Sequence, residues 1–286
     1  MNNLDMKISV IVPTYKPKDY LWKCLDSLVS QTLSSNEWEL LIVLNGCCDP
    51  WHKHIEQYIC NKMQGMNVEF IHTDTPGVSN ARNKALDLAK GEYVTFIDDD
   101  DYVSPKYLEE LLKAATPNTI SLSYPYAFDD GCLNIQRKYT ITDAYEYCEQ
   151  HGCGSLSSKV RKFFSGPCMK LIPMSFIQER RFDVRFANGE DSLFMFLISD
   201  KIKHTAIASR EAVYFRRVRN DGANYTPQPL SNIVKNRTLL IIEYTKIYFA
   251  NPLNYSLKFY LSRILASLNT IIKKIIKLCI SEQTQN

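Results

Sequence analysis

Four consecutive aspartates, Asp98 to Asp101, follow the apolar run Tyr93-Val94-Thr95-Phe96-Ile97. The run reads as a buried β-strand, which puts the carboxylates at its carboxyl end. Like charges this close repel, and a cation is the simplest way to keep them ionised at neutral pH. In an open α/β sheet, ligands bind at the carboxyl ends of the strands. Position and charge together point to a divalent metal holding a phosphorylated ligand. The alternative is an acid-rich turn between strand and helix, which needs no ligand.

The elements that would position this tip alternate over the first 125 residues. Ile8 to Val12 is a β-branched run closed by Pro13, and Asp19 is placed to cap a helix whose apolar face is Leu21, Leu25, Leu28 and Val29. Leu40 to Leu44 is a second strand, stopped by Asn45-Gly46, and a helix over about 51–63 leads to a short strand at Val68 to Ile71. Ser79 opens a helix with Ala81, Ala85, Leu88 and Ala89 on one side and Gly91 at its end. After the aspartates, Ser104 and Pro105 are an N-cap and first-turn proline for a helix carrying Leu108, Leu111, Leu112 and Ala115, and Thr119 to Ser123 completes the series. Continuous apolar strands separated by helices imply a mostly parallel sheet covered on both faces. From Tyr126 to Arg219 the pattern is less regular and richer in Gly, Cys and aromatics, as expected of loops that shape a pocket.

Composition sets the bounds. A chain of 286 residues, 45% hydrophobic and 23% charged, is that of an ordinary globular protein. Its net charge of +3 is too small to imply nucleic-acid binding. From Ser231 onward eight Lys/Arg stand against two Glu, a local +6 that leaves −3 for the rest, so the basic character belongs to the tail. Nine scattered cysteines without a Cys-x-x-Cys pair suit free thiols in a reducing cytoplasm. Cys148, His151 and Cys153 lack an evident fourth ligand and read as a loop rather than a zinc site. The polar start Met1 to Lys7 is no signal peptide, and no uncharged apolar run reaches the ~20 residues of a bilayer span.

Four segments, in order, resemble the inverting glycosyltransferases of family 2. They are Ile8-Ser9-Val10-Ile11-Val12-Pro13-Thr14-Tyr15, Pro76-Gly77-Val78-Ser79-Asn80-Ala81-Arg82-Asn83, Gly91 to Asp101, and Asn188-Gly189-Glu190-Asp191. They are similar to the family's first strand and donor-binding turn, its Gly-x-Ser-x-Ala-Arg-Asn segment, its strand ending in Asp-x-Asp, and its Glu-Asp pair. The resemblance covers about residues 7–222. It implies a GT-A fold, a Rossmann-like, mostly parallel α/β sheet flanked by helices. Residues 1–225 would form the catalytic domain, with a nucleotide-sugar-binding half to about 125 and an acceptor half over 126–225. Residues 226–286 would be a basic, amphipathic C-terminal helical extension.

The resemblance also implies a reaction. Sugar transfer from a nucleoside diphosphate develops charge on the departing phosphate, which Mg²⁺ or Mn²⁺ would stabilise from carboxylate ligands. Asp100, with Asp98 two residues away on the same side of an extended chain, is the expected metal ligand, and Asp99 lies nearer the donor's ribose or sugar. Pro13, Thr14 and Tyr15 belong to the donor turn. Arg82, in the first turn of its helix, suits the nucleotide; an ordinary surface arginine is the alternative. Asp191 occupies the position of the general base, with Glu190 orienting it or the acceptor; the pair could equally cap the helix that follows. Arg216 and Arg219, before Gly222, resemble a basic segment that closes over the diphosphate, or a solvated strand end. One departure stands out. The family's second strand usually ends in Asp-Asp-Gly-Ser, whereas this chain has Leu44-Asn45-Gly46-Cys47. Asn45 both donates and accepts, so it can still read a base edge, with UDP the expected nucleotide.

Partners follow from the same reading. The donor is a nucleotide-sugar, and the acceptor a saccharide hydroxyl, free or lipid-linked, in bacterial surface-polysaccharide synthesis. Leu257, Leu261, Ile264, Leu268, Ile271, Ile275 and Cys279 step by threes and fours beside Lys273, Lys274 and Lys277. Such a helix can lie on an anionic membrane surface, which would make a cytoplasmic enzyme peripheral on the inner face of the membrane, or it can pack on protein. Two rival classes remain. A phosphohydrolase would not need the Arg82 and Asp191 segments, and a catalytically silent sugar-nucleotide binder would not need Asp98, Asp100 and Asp191 intact.

Overall fold

The computed structural model describes residues 6–153, 156, 159–219 and 228–283; Gly222 and the expected boundary at 225/226 lie outside them. In chain order the elements are β1 (Ile8–Thr14), α1 (Tyr20–Val29), β2 (Trp38–Asn45), α2 (Trp51–Lys62), β3 (Asn67–Thr73), α3 (Val78–Leu86), β4 (Tyr93–Phe96), β5 (Tyr102–Val103), α4 (Tyr107–Ala114), β6 (Thr119–Leu122) and β7 (Tyr124–Asp129). There follow α5 (Thr140–His151), a 3-10 helix Val160–Ser165, β8 (Lys170–Pro173), α6 (Met174–Ile177), α7 (Glu190–Leu197), a 3-10 turn Ser199–Lys201, β9 (His204–Ile207), β10 (Val213–Val218), α8 (Leu230–Ala250) and α9 (Leu257–Gln283).

The strands form a seven-stranded sheet in the order β3-β2-β1-β4-β8-β6-β9 and a small sheet β5-β10-β7. β1 pairs in parallel with β2 and β4, β2 with β3, and β6 with β9; β8 runs antiparallel to both neighbours. The sheet is thus mostly parallel, as the βα alternation predicts, and β2 is buried along its whole length. β8 and β9 come from the irregular stretch after residue 125 yet join the main sheet. The two expected halves therefore share one sheet and one core.

Three local expectations differ. Asp19 stands at the start of α1 but makes no side-chain cap bond. Ser104 does not cap α4 with its side chain: its Oγ accepts the Val213 amide at 2.8 Å, which ties the turn to β10 instead. Gly91 does not end α3, which stops at Leu86. A Cβ at Gly91 would lie 2.5 Å from Ser9 N and 2.7 Å from the Ile8 carbonyl carbon, so glycine is there because β4 enters tight against β1. The Gly91 amide donates to Ser9 Oγ, which donates in turn to buried Glu39.

The C-terminal helices form a hairpin docked through aromatics. Phe259 is fully buried and packs on Phe164 and Phe196, and Tyr244 and Tyr255 pack on Phe196. Most of the expected stripe does not make this contact: Leu257, Leu261, Leu268 and Ile275 are exposed, while Ile264 packs partly buried against the core. Large aromatics bury more area than the leucines offer, so they set the rotation of α9. No helix among the described residues is long and apolar enough to cross a membrane.

Candidate active site

The ends of β1, β2 and β4, the starts of α3 and α7, and β10 converge on one cleft. Strand direction explains the convergence: parallel neighbours β2, β1 and β4 all deliver Asn45, Thr14 and the aspartates to the same edge. A cavity of about 570 Å³ there is lined by Pro13, Thr14, Tyr15, Asn45, Asp98, Asp99, Asp100 and Arg219. Beside it, a smaller one of about 270 Å³ is lined by Asp98, Asp101, Glu190, Asp191 and Arg216. Asp98 lines both.

The aspartates do not continue the strand. The Asp101 amide donates to the Asp98 carbonyl at 3.0 Å, closing a turn, so Asp98 and Asp100 do not share a face as an extended chain would give. Each side chain finds its own partner. Asp98 accepts from Arg82 Nη2 at 2.9 Å, Asp99 from Thr14 Oγ1 at 2.5 Å, Asp100 from Arg219 Nε at 2.8 Å, and Asp101 from the Arg217 amide at 2.7 Å. Burial, then the Asp100 and Asp98 carboxylates, push Asp99 up to about 7 against the Thr14 hydrogen bond. Burial and Asp98 also raise Asp100, opposed by Arg219.

Arg82 departs from its expected place. Its side chain is only 3% exposed, and Nη1 donates to Asp191 Oδ1 at 2.5 Å while Nη2 holds Asp98. The forked guanidinium joins two carboxylates instead of presenting itself to a nucleotide, because α3 turns this residue inward against Phe182. Asp191 lies in the first turn of α7 with a third of its side chain (33%) still facing the cleft. Burial raises its pKa, with Arg82 opposing. Its neighbour Glu190 is buried, and Oε2 has no hydrogen-bond partner; burial and the Asp191 charge push it up to about 7. The sequence left open whether this pair caps α7, and no side-chain cap bond is made.

Asn45 lines the larger cavity, but its amide clips two loops: Nδ2 donates to the Thr14 carbonyl at 2.8 Å and Oδ1 accepts from the Gly77 amide at 2.9 Å. One donor and one acceptor position remain for a ligand. The two arginines named from sequence separate. Arg219 faces the larger cavity, whereas Arg216 stacks on Tyr139 at 5.0 Å on the other side.

Sequence reasoning gave Asp101 and Arg217 no separate role and missed Lys170. Asp101 and Arg217 fasten β10 to the acidic turn, and Arg217 Nε also donates to the Asp100 carbonyl. Lys170, fully buried in β8, donates to the Gly166 and Cys168 carbonyls at 2.6 and 2.5 Å and so shapes the loop opposite Asp191. A lone lysine inside Met169-Lys170-Leu171-Ile172 was the available signal.

The donor set was tested against a divalent cation. No three His, Cys, Asp or Glu residues among those described are gathered closely enough to cage one. Mg²⁺-type sites that act on phosphates use one or two carboxylates, with phosphate and water oxygens completing the shell. Asp98 and Asp100 each engage an arginine through one oxygen, leaving the other, so the residues fit such a site.

Residues 9–172 match the family model described as "Glycosyl transferase family 2". The chain is 30% identical over 195 residues to the putative glycosyltransferase EpsH of Bacillus subtilis, an alignment covering 66% of this chain and 54% of that protein. It is 28% identical over 223 residues to the minor teichoic acid biosynthesis protein GgaB of the same organism, covering 76% of this chain and 23% of that protein. The matched region thus spans about half or less of these relatives. The crystal structure of Staphylococcus aureus TarS 1–349 in complex with UDP superposes with a TM-score of 0.65 at 21% identity, over 92% of this chain and 71% of that one. That likeness identifies the fold as GT-A.

Proposed function

The chain belongs to glycosyl transferase family 2, and on that premise we propose that it transfers a sugar, with inversion, from a UDP-linked donor to a hydroxyl of a surface-glycan acceptor. The observation that carries the reading is the Asp98–Arg82–Asp191 bridge, which links the tip of β4 to a partly exposed carboxylate in the adjoining cavity.

The larger cavity takes the nucleotide, with Pro13, Thr14, Tyr15 and Asn45 on one wall and Asp99 toward the ribose or sugar. The acceptor hydroxyl enters the smaller cavity and gives its proton to Asp191 as its oxygen bonds to the anomeric carbon. The bond from that carbon to the phosphate oxygen breaks in the same displacement, and the nucleoside diphosphate leaves with the electron pair. Arg82 holds Asp191 in place and favours its ionised form. Glu190 orients the acceptor or Asp191, and Arg219 faces the diphosphate. Asp100 and Asp98 would hold Mn²⁺ or Mg²⁺, which supplies Lewis-acid stabilisation of the leaving phosphate when bound. The catalytic unit is residues 1–225. The exposed apolar face of α9, with its lysines, is the surface for an anionic membrane at the cytoplasmic face.

Calorimetric titration of UDP and GDP, with manganese and with chelator, tests the donor assignment alongside Asp100→Ala. Manganese-dependent UDP binding that the substitution abolishes is the expected result. Binding of neither nucleotide would remove the reading.

A further inference from the structure

Behind the acceptor side lies a second basic cavity, of about 470 Å³, walled by the 3-10 helix Val160–Ser165, the start of α5, Arg216 and the docked end of α9. Arg161, Lys162, Arg216 and Arg263 converge on it, and no carboxylate lines it. Asp101 and Asp98, on the adjoining cavity, favour the charged form of Arg216 without a direct contact. Arg216 stacks on Tyr139 and Arg263 on Phe259, and Arg263 Nη2 donates to the Arg161 carbonyl at 3.2 Å. Among the described residues none of the four forms an ion pair. Arg161 Nε and Nη1 and Arg263 Nε are buried without any hydrogen-bond partner. Burial, and after it the Arg161 charge, lower the Arg263 pKa, with Tyr244 opposing.

Leaving a buried donor unsatisfied is costly, and crowding of like charges adds to that cost. A solvated basic surface would not carry this cost, since its nitrogens would reach water. Guanidinium forks match the oxygens of a phosphate group. This cavity also shares Tyr139, Ile141, Ser165 and Arg216 with the cavity that holds Asp191. An anion here is therefore continuous with the hydroxyl at Asp191, whereas the donor's diphosphate is assigned to the opposite side, by Asp98 to Asp100 and Arg219.

We infer that Arg161, Lys162, Arg216 and Arg263 bind a phosphate or diphosphate group that is part of the acceptor. The inference rests on Asp191 marking the acceptor side. It identifies the acceptor as a phosphorylated saccharide, and it gives the C-terminal hairpin a part in recognition through Arg263.

Two substitutions test it: Arg161→Gln, whose side chain makes no bond to lose, and Lys162→Glu, which is partly exposed. Inorganic pyrophosphate is titrated calorimetrically into the whole protein in chelator, and UDP is titrated separately with manganese. Pyrophosphate binding that weakens tenfold or more in both variants, with UDP affinity unchanged and melting temperature not lowered, is expected. Absent binding, or equal binding by wild type and variants, would overturn the inference. A third arm uses phosphatidylglycerol vesicles. If the variants lose vesicle binding but keep pyrophosphate binding, the cavity reads membrane headgroups and the acceptor assignment fails. Failure of the wild type to bind UDP would refute the donor reading instead, and the pyrophosphate arm would still decide this one.

Discussion

Removing the Arg82 guanidinium should expose how the two carboxylates depend on it. In Arg82→Met the fork that holds Asp98 and Asp191 is lost while the apolar stem against Phe182 is kept. Breaking a buried ion pair on one side costs about 3–5 kcal/mol. Here Arg82 is 3% exposed, but Asp98 and Asp191 are 43% and 33% exposed and can be rehydrated. That places the cost near the lower end, at about 3 kcal/mol. In an Asp191→Asn background only Asp98, the more exposed of the two, is orphaned, and the same substitution should cost about 1 kcal/mol. The double-mutant cycle then yields a coupling of about 2 kcal/mol, within the range of residues in one network. Urea titrations followed by the fluorescence of Trp22, Trp38 and Trp51 measure all four corners. Arg82→Lys should recover only part of the loss, because an ammonium is a point charge and cannot reproduce the fork. Additivity of the two substitutions within about 0.5 kcal/mol would refute the bridge as an energetic unit.

Three further outcomes are expected. Asp191→Asn should lower turnover about 10²–10⁴-fold while leaving UDP affinity unchanged, as read from nucleoside diphosphate release and calorimetry. Gly91→Ala should cost about 1–3 kcal/mol in thermal or urea unfolding, since the added carbon meets backbone atoms of β1 that cannot yield. Lys170 has its pKa lowered by burial to about 7, so between about 7 and about 10.4 the folded protein binds fewer protons than the unfolded chain. Stability from this group is therefore least below pH 7 and rises with pH through that window. Urea midpoints at pH 6.5 and 9 should show the rise in wild type and its loss in Lys170→Met.

The parts legible in the sequence were those with short-range causes. The alternation of apolar strands and helices needs only periodicity, and Pro13, Thr14 and the aspartates sit at strand ends whatever the rest of the chain does. The parts that were not legible depend on contacts across the fold. That β8 would insert between β4 and β6 cannot be seen in Lys170-Leu171-Ile172-Pro173, because its partners lie 48 to 80 residues away. Arg82 illustrates the same limit: its helical position suggested an outward cation, but Asp191 lies 109 residues on and turns it into a counterion. Gly91 looked like a helix stop by local rule, when the determining atoms belong to Ile8 and Ser9. The stripe on α9 shows a related limit, since periodicity finds an apolar face but does not say whether the core buries it.

The aspartate cluster can now be read as a question of charge balance. Sequence alone offered one solution to four adjacent carboxylates, a bound cation. The protein supplies several of its own: Arg82 serves Asp98, Arg219 serves Asp100, and the Arg217 amide and stem clasp Asp101 and the turn. Asp99 is left with a hydroxyl, and its pKa rises accordingly. The turn is therefore already stabilised by arginines and would hold its shape before any ligand arrives. A diphosphate donor and a divalent cation carry opposite charges, and together they disturb this balance far less than either does alone. Arg219 is the residue that such an exchange would involve, since it pairs with Asp100 on the wall of the larger cavity and would face the incoming phosphates. Arg82, enclosed and committed to Asp191, would stay in place and keep that carboxylate oriented. The two arginines thus have separate duties, one exchangeable and one fixed, and the difference follows from where the fold buries each of them.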